Sequence, residues 1–185
     1  MNLPNRVTLA RIILVPVFMV FLLLEIPAGT PVIPHQDMFA AGIFILAAAT
    51  DGLDGYIARK RGQVTVLGKF MDPLADKLLV SAALISLVQL GDVQAWVAWT
   101  ILGREFAVTG LRALAAADGH VIAASKLGKV KTVTQVVSIS LILVNDFPFS
   151  IWGIQLGQPL LMVALFFTLV SGVDYLLKSR KLLRK

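Results

Sequence analysis

Cysteine is absent from the 185 residues. That excludes a disulfide framework and any thiolate metal site, so a bound metal would have to be held by oxygen or imidazole ligands. Imidazole is nearly as scarce, with only His35 and His120 in the chain. His35 falls in a loop and His120 in a turn after Asp118-Gly119, neither near a second ligand of its kind, and both are read as solvated loop residues. Charge is scarce too, at 15% of residues. No stretch is polar enough for a separate soluble domain, and neither a Gly/Ser- or Pro-rich linker nor an internal repeat is found.

What is abundant is apolar: 57% of residues are hydrophobic and the mean hydropathy is +0.83, so a bilayer is the expected solvent. At about 20 residues per crossing, the chain has room for roughly six helices with short loops. The apolar spans predict helices at 7–24, 38–60, 69–91, 93–118, 125–147 and 151–178. The expectation is an all-α polytopic integral membrane protein with six transmembrane helices in one domain, residues 1–185. The first span is read as a crossing rather than a cleaved signal, because losing it would leave an odd number of crossings.

The net charge of +6 suggests nucleic acid only in a soluble protein; here no Arg/aromatic groove accompanies it, and no nucleic-acid partner is expected. With six crossings, all 17 Lys and Arg fall on the side holding both termini. The other side carries Glu25, Asp37, Asp92 and Asp146 instead. The positive-inside rule makes the basic side, with both termini, cytoplasmic, in a bacterial-type plasma membrane. Trp96, Trp99 and Trp152 suit an aromatic belt at the outer interface.

Long uncharged runs are lacking in four of the spans. The runs 12–24, 38–50, 78–91 and 132–145 have only 13 or 14 residues each. To cross, these helices must carry polar neighbours to the boundary, among them Asp51, Asp54, Asp72, Asp76, Arg104, Glu105 and Arg112. Four unpaired aspartates at full depth would cost about 10–14 kcal/mol on insertion scales, so compensation is required. Asp51 and Asp54 are spaced i,i+3, and Asp72 and Asp76 i,i+4, so each pair shares a helix face on neighbouring helices. Two divalent cations would balance four facing carboxylates, and all-oxygen ligation suits Mg²⁺ or Mn²⁺ in a site fit for phosphoryl displacement. The competing reading makes individual aspartates helix caps or partners of Lys60, Arg61, Lys69 and Lys77.

The run Asp51-Gly52-Leu53-Asp54-Gly55-Tyr56-Ile57-Ala58-Arg59, then Gly68, Asp72 and Asp76, resembles the signature D-x2-D-G-x2-A-R-x8-G-x3-D-x3-D of the CDP-alcohol phosphotransferase family. Every specified position is present. The resemblance implies that Asp51, Asp54 and Asp72 ligate the metal centre, with Asp76 beside it as the base that deprotonates the attacking hydroxyl. It implies nucleotide contacts from Gly55, Ala58, Arg59 and Gly68, and a homodimer. CDP-diacylglycerol would be the lipid donor, seated among membrane lipids.

The remaining cations bear on the acceptor. Arg104 and Arg112 on the fourth span, with Lys126, Lys129 and Lys131 on the fifth, can line one cytoplasm-facing pocket and favour an anionic acceptor. Alternatively, some of them set topology or bind anionic headgroups. The segments Gly103-Arg104-Glu105-Phe106, Leu111-Arg112 and Leu127-Gly128-Lys129-Val130-Lys131-Thr132, with the opening Asn5-Arg6-Val7-Thr8-Leu9-Ala10-Arg11, resemble the phosphatidylglycerophosphate-forming branch. That implies glycerol 3-phosphate as acceptor, its phosphate held by the five cations, with Glu105 orienting an Arg. Asn5, Thr8 and Arg11 are accessory candidates, Asn5 and Thr8 serving as readily as caps of the first helix. Other acceptors, such as inositol phosphate, serine or phosphatidylglycerol, remain open, as does a cation channel or transporter with an Asp ring.

Overall fold

The protein is described from a computed structural model that covers residues 3–26, 30–31, 36–60, 66–117 and 126–179; side chains at 3–4, 25–26, 30–31, 51–60, 66–67, 69–70, 117, 126 and 178–179 lie outside the described set. The described residues form six α-helices: α1 (Leu3–Leu23), α2 (Gln36–Lys60), α3 (Val66–Leu90), α4 (Ala95–Ala117), α5 (Lys126–Leu143) and α6 (Gly157–Ser179). A two-residue antiparallel pair, β1 (Glu25–Ile26) and β2 (Thr30–Pro31), follows α1, and one 3₁₀ turn, Phe149–Trp152, precedes α6. The all-helical expectation is met. Of the six helices, α1, α3 and α6 contain segments long and apolar enough to cross a membrane, over Asn5–Leu23, Met71–Leu90 and Gly157–Leu177.

The helices form a ring. α5 lies along α6, α6 touches α4, α4 touches α3, and α2 closes the circuit between α3 and α5, while α1 packs on both α2 and α3. The reason is written in each helix's buried stripe. On α1 that stripe is Asn5, Thr8, Arg11, Val15, Phe18 and Leu22, polar at one end and apolar at the other. Its apolar half meets α2 through Phe18 and Phe44, whose ring centroids lie 5.9 Å apart. Small residues Ala40, Ala41 and Ala47 on α2, and Ala75, Ala82 and Ala83 on α3, let the backbones approach. Outward positions are just as apolar, for example Ile13, Leu46, Leu114 and Phe166, as a lipid-facing surface requires. Hydroxyls at Thr100, Thr109, Thr134, Ser140 and Thr168 donate to carbonyls one turn back, so they cost little in an apolar setting.

Three helix ends depart most from the sequence expectation. α1 begins at Leu3 rather than residue 7, because Pro4 falls in the first turn, where its missing N–H is no loss. The larger correction is between α5 and α6: α5 ends at Leu143 rather than 147, and α6 starts at Gly157 rather than 151. Asn145 and Asp146 have left-handed φ of 53° and 57°, which ends the helix. The Asp146 carboxylate, 8% exposed, then accepts hydrogen bonds from the Gly157 N–H at 2.7 Å and the Leu156 N–H at 3.1 Å, capping α6 across the turn. At the same end of the bundle, partial desolvation and then the Asp37 carboxylate push the Asp92 carboxyl above its ordinary range.

Gly157 allows this closure, since a Cβ there would stand 2.7 Å from Ile142 Cγ1 and 3.1 Å from Asp146 Oδ1. Gly157→Ala is expected to destabilise the protein by about 1–3 kcal/mol through overpacking. Asp146→Ala is expected to cost about 1–2 kcal/mol through the lost cap, with Asp146→Asn intermediate. Thermal unfolding in detergent, read by circular dichroism, checks the order.

Candidate functional site

At the end of the bundle where α2 finishes, α3, α4, α5 and α6 surround a cavity of about 490 Å³. Asp76 and Lys77 enter it from α3, Arg104, Glu105, Thr109 and Arg112 from α4, Lys129 and Lys131 from α5, and Tyr175 from α6. Five cations against two carboxylates therefore line a single chamber. Such an excess of fixed positive charge between apolar helices suits an anion.

The sequence expectations can be placed one by one. Asp76, Arg104, Arg112, Lys129, Lys131 and Glu105 come together in the cavity. Asp72 lies one turn before Asp76 on the same helix, and the Thr8 hydroxyl of α1 donates to its Oδ1 at 2.7 Å. Thr8 is thus inside α1 and fully buried, bound to an aspartate rather than capping the helix. Asn5 and Arg11 are buried on the same stripe of α1. Gly68 is buried near the start of α3. Asp51, Asp54, Gly55, Ala58 and Arg59 occupy the last turns of α2, with side-chain positions outside the described residues. Lys126 opens α5, and its side chain is outside them as well.

The structure adds a partner for Glu105 that the sequence did not show. Among the described residues the ion-pair partner of Glu105 is a lysine: its Oε1 pairs with Lys131 Nζ, with the lysine 2% and the glutamate 12% exposed. Successive helical residues diverge by about 100°, so Glu105 faces α5 while Arg104 is turned toward α6. There Arg104 Nη2 donates to Ser171 Oγ at 2.9 Å, and its Cζ sits 5.5 Å from the Tyr175 ring centroid. The Arg104 Nε is buried with no hydrogen-bond partner among the described residues. A half-buried guanidinium in a cationic chamber is suited to an oxyanion.

The sequence reading missed Ser171 and Tyr175. No signal singled them out, because the same helix also carries Thr168, Asp174 and Lys178.

The donors available to a metal are hard. Asp72 and Asp76 share a face of α3, and neither His nor Cys lines the cavity. The described residues alone gather no group of three acidic or imidazole ligands. α2 packs on α3 and carries Asp51 and Asp54 at its matching end, so the residue types fit an oxygen-ligated divalent cation.

Because the Glu105–Lys131 pair is shielded, each partner depends on the other. Glu105→Gln or Lys131→Met alone is expected to cost about 3–5 kcal/mol, by leaving a buried charge unmatched. The double variant should recover much of that loss, with a coupling energy of about 1–3 kcal/mol in a double-mutant cycle measured by unfolding in detergent.

Comparison with known proteins adds a second line of observation. The family model described as CDP-alcohol phosphatidyltransferase matches residues 1–170. The CDP-diacylglycerol–glycerol-3-phosphate 3-phosphatidyltransferase of Bacillus subtilis (strain 168) is 48% identical over 188 residues, covering 99% of this chain and 97% of that protein. The protein of the same name from Rickettsia bellii is 38% identical, over 97% of this chain and 96% of its own length. A probable phosphatidylglycerophosphate synthase of Mycobacterium tuberculosis is 40% identical, over 96% of this chain and 81% of its own.

Proposed function

The chain belongs to the CDP-alcohol phosphatidyltransferase family, and from that premise we propose that it transfers the phosphatidyl group of CDP-diacylglycerol to glycerol 3-phosphate, releasing CMP. The product, phosphatidylglycerophosphate, remains in the bilayer as a phospholipid precursor. The observation that carries this reading is the shared chamber: Asp76, the candidate base, faces the same cavity as Arg104, Arg112, Lys129 and Lys131. A cation cluster beside a base suits an acceptor with an anionic group at one end and a hydroxyl at the other.

Arg104, Arg112, Lys129 and Lys131 hold the acceptor's phosphate, and Lys126 at the start of α5 adds to them. The phosphate's position sets the orientation of the three-carbon chain and brings its free primary hydroxyl to Asp76. Asp76 takes the hydroxyl proton as the oxygen attacks the diacylglycerol-linked phosphorus; the bond from that phosphorus to the CMP oxygen breaks. Asp51, Asp54 and Asp72, with Asp76 beside them, would hold two divalent cations, Mg²⁺ or Mn²⁺, which when bound supply neutralisation of the pyrophosphate and of the departing CMP. Gly55, Ala58, Arg59 and Gly68 contact the cytidine nucleotide, the small residues allowing close approach.

Placement in the membrane belongs to the same proposal. All six helices cross, both termini and the cavity face the cytoplasm, residues 1–185 form one domain, and two copies associate as a homodimer. The concentration of basic residues at the cavity end supports this orientation. The cation-channel reading asks for carboxylates along a path between both ends, whereas Asp72 and Asp76 lie one turn apart at a single end.

The test is an assay of purified protein with CDP-diacylglycerol, Mg²⁺ and a panel of acceptors. Glycerol 3-phosphate is expected to react, and serine, inositol phosphate and phosphatidylglycerol to fall at least about a hundredfold below it, as unpaired buried groups reject a mismatched ligand. Asp76→Asn is expected to lower kcat by about 10²–10⁴-fold, the usual value of a general base. Undiminished turnover in Asp76→Asn, or in excess chelator, would refute the mechanism.

A further inference from the structure

Three independent features of α6 converge on one side chain of α4. Ser171 Oγ accepts from Arg104 Nη2 at 2.9 Å, and Ser171 is itself anchored through its own donation to the carbonyl of Phe167. The Tyr175 ring, 4% exposed, lies 5.5 Å from Arg104 Cζ. Between them Gly172 leaves open the space the arginine stem occupies, for a Cβ at that position would stand 3.1 Å from Arg104 Cγ and 3.8 Å from its Nε. The three residues lie within a little over one turn of a single helix face, and Arg104 spans the α4–α6 contact to reach it.

We infer that Ser171, Gly172 and Tyr175 form a cradle that fixes the Arg104 guanidinium for the acceptor's phosphate, making α6 a determinant of acceptor specificity. The inference rests on the reading of Arg104 as part of the phosphate receptor. An arginine has four side-chain torsions to immobilise, and doing so only when ligand arrives weakens binding. Here the ring holds the guanidinium plane, the hydroxyl holds one terminal nitrogen, and the glycine gives the stem a track along the backbone. These are positioning residues, acting on the acceptor through Arg104. Lysine cannot use the same seat, because it has neither the plane nor the fork.

The consequence is confined to the acceptor. In steady-state assays of the full-length enzyme in detergent, Gly172→Ala, Ser171→Ala and Tyr175→Leu are each expected to raise the KM for glycerol 3-phosphate by about tenfold, the size of one charge-assisted hydrogen bond misplaced. The kcat and the KM for CDP-diacylglycerol should stay within about twofold, the pattern of lost uniform binding. Tyr175→Phe keeps the ring and should recover much of the loss seen in Tyr175→Leu, and Arg104→Lys should behave like Arg104→Ala. If Arg104→Ala raises the acceptor KM while the α6 variants leave it unchanged, the cradle is refuted and the receptor stands. If Arg104→Ala leaves the acceptor KM unchanged, the receptor reading fails and the cradle falls with it. If the α6 variants lower kcat and melting temperature together without a selective change in acceptor KM, their contacts serve packing alone and the inference is overturned.

Discussion

A charge inside an apolar helical bundle must meet a counter-charge, a fixed dipole or a ligand, and that requirement organises this protein. It explains why the polar half of α1 turns inward, where Thr8 binds Asp72, while its apolar half follows the same stripe into α2. It explains the buried Glu105–Lys131 pair, which joins α4 to α5. Among the described residues, a surplus of cations opens onto a cavity, and that cavity is the proposed site.

The division of labour between helices follows. α3 brings Asp76 and Lys77 to the cavity, and α4 and α5 bring Glu105 and the other cations, so in the proposed function donor chemistry and acceptor recognition would meet along the α3–α4–α5 boundary. α6 contributes no charge to the cavity, yet it supports the arginine that α4 supplies. The far end of the bundle is held differently: Asp146 caps α6, and Gly157 lets α5 and α6 close to contact. Stability at that end and binding at the other are thus assigned to separate residues, and substitutions there should leave acceptor recognition untouched.

Much of this was legible in the sequence because lipid is a demanding solvent. Helix number and approximate extent followed from apolar spans, and the candidate acids and cations followed from their rarity among them. The signature residues Asp72 and Asp76 fall on one face of α3 as their spacing required. Three things were not legible. The end of α5 depended on left-handed backbone at Asn145 and Asp146, which apolarity does not encode. The partner of Glu105 depended on the rotation of α4 between α5 and α6, a tertiary fact. Ser171 and Tyr175 look like ordinary polar interruptions until Arg104 is seen to reach them.

The central claim is that the cationic cavity beside Asp76 receives the phosphate of the acceptor. Its most direct measurement is the inhibition pattern of an unreactive phosphonate analogue of glycerol 3-phosphate that lacks the terminal hydroxyl. The account predicts competition with glycerol 3-phosphate that weakens as salt is raised and is lost in Arg104→Ala, with glycerol itself inert. Competition by glycerol at comparable concentration, or inhibition directed only against CDP-diacylglycerol, would contradict it.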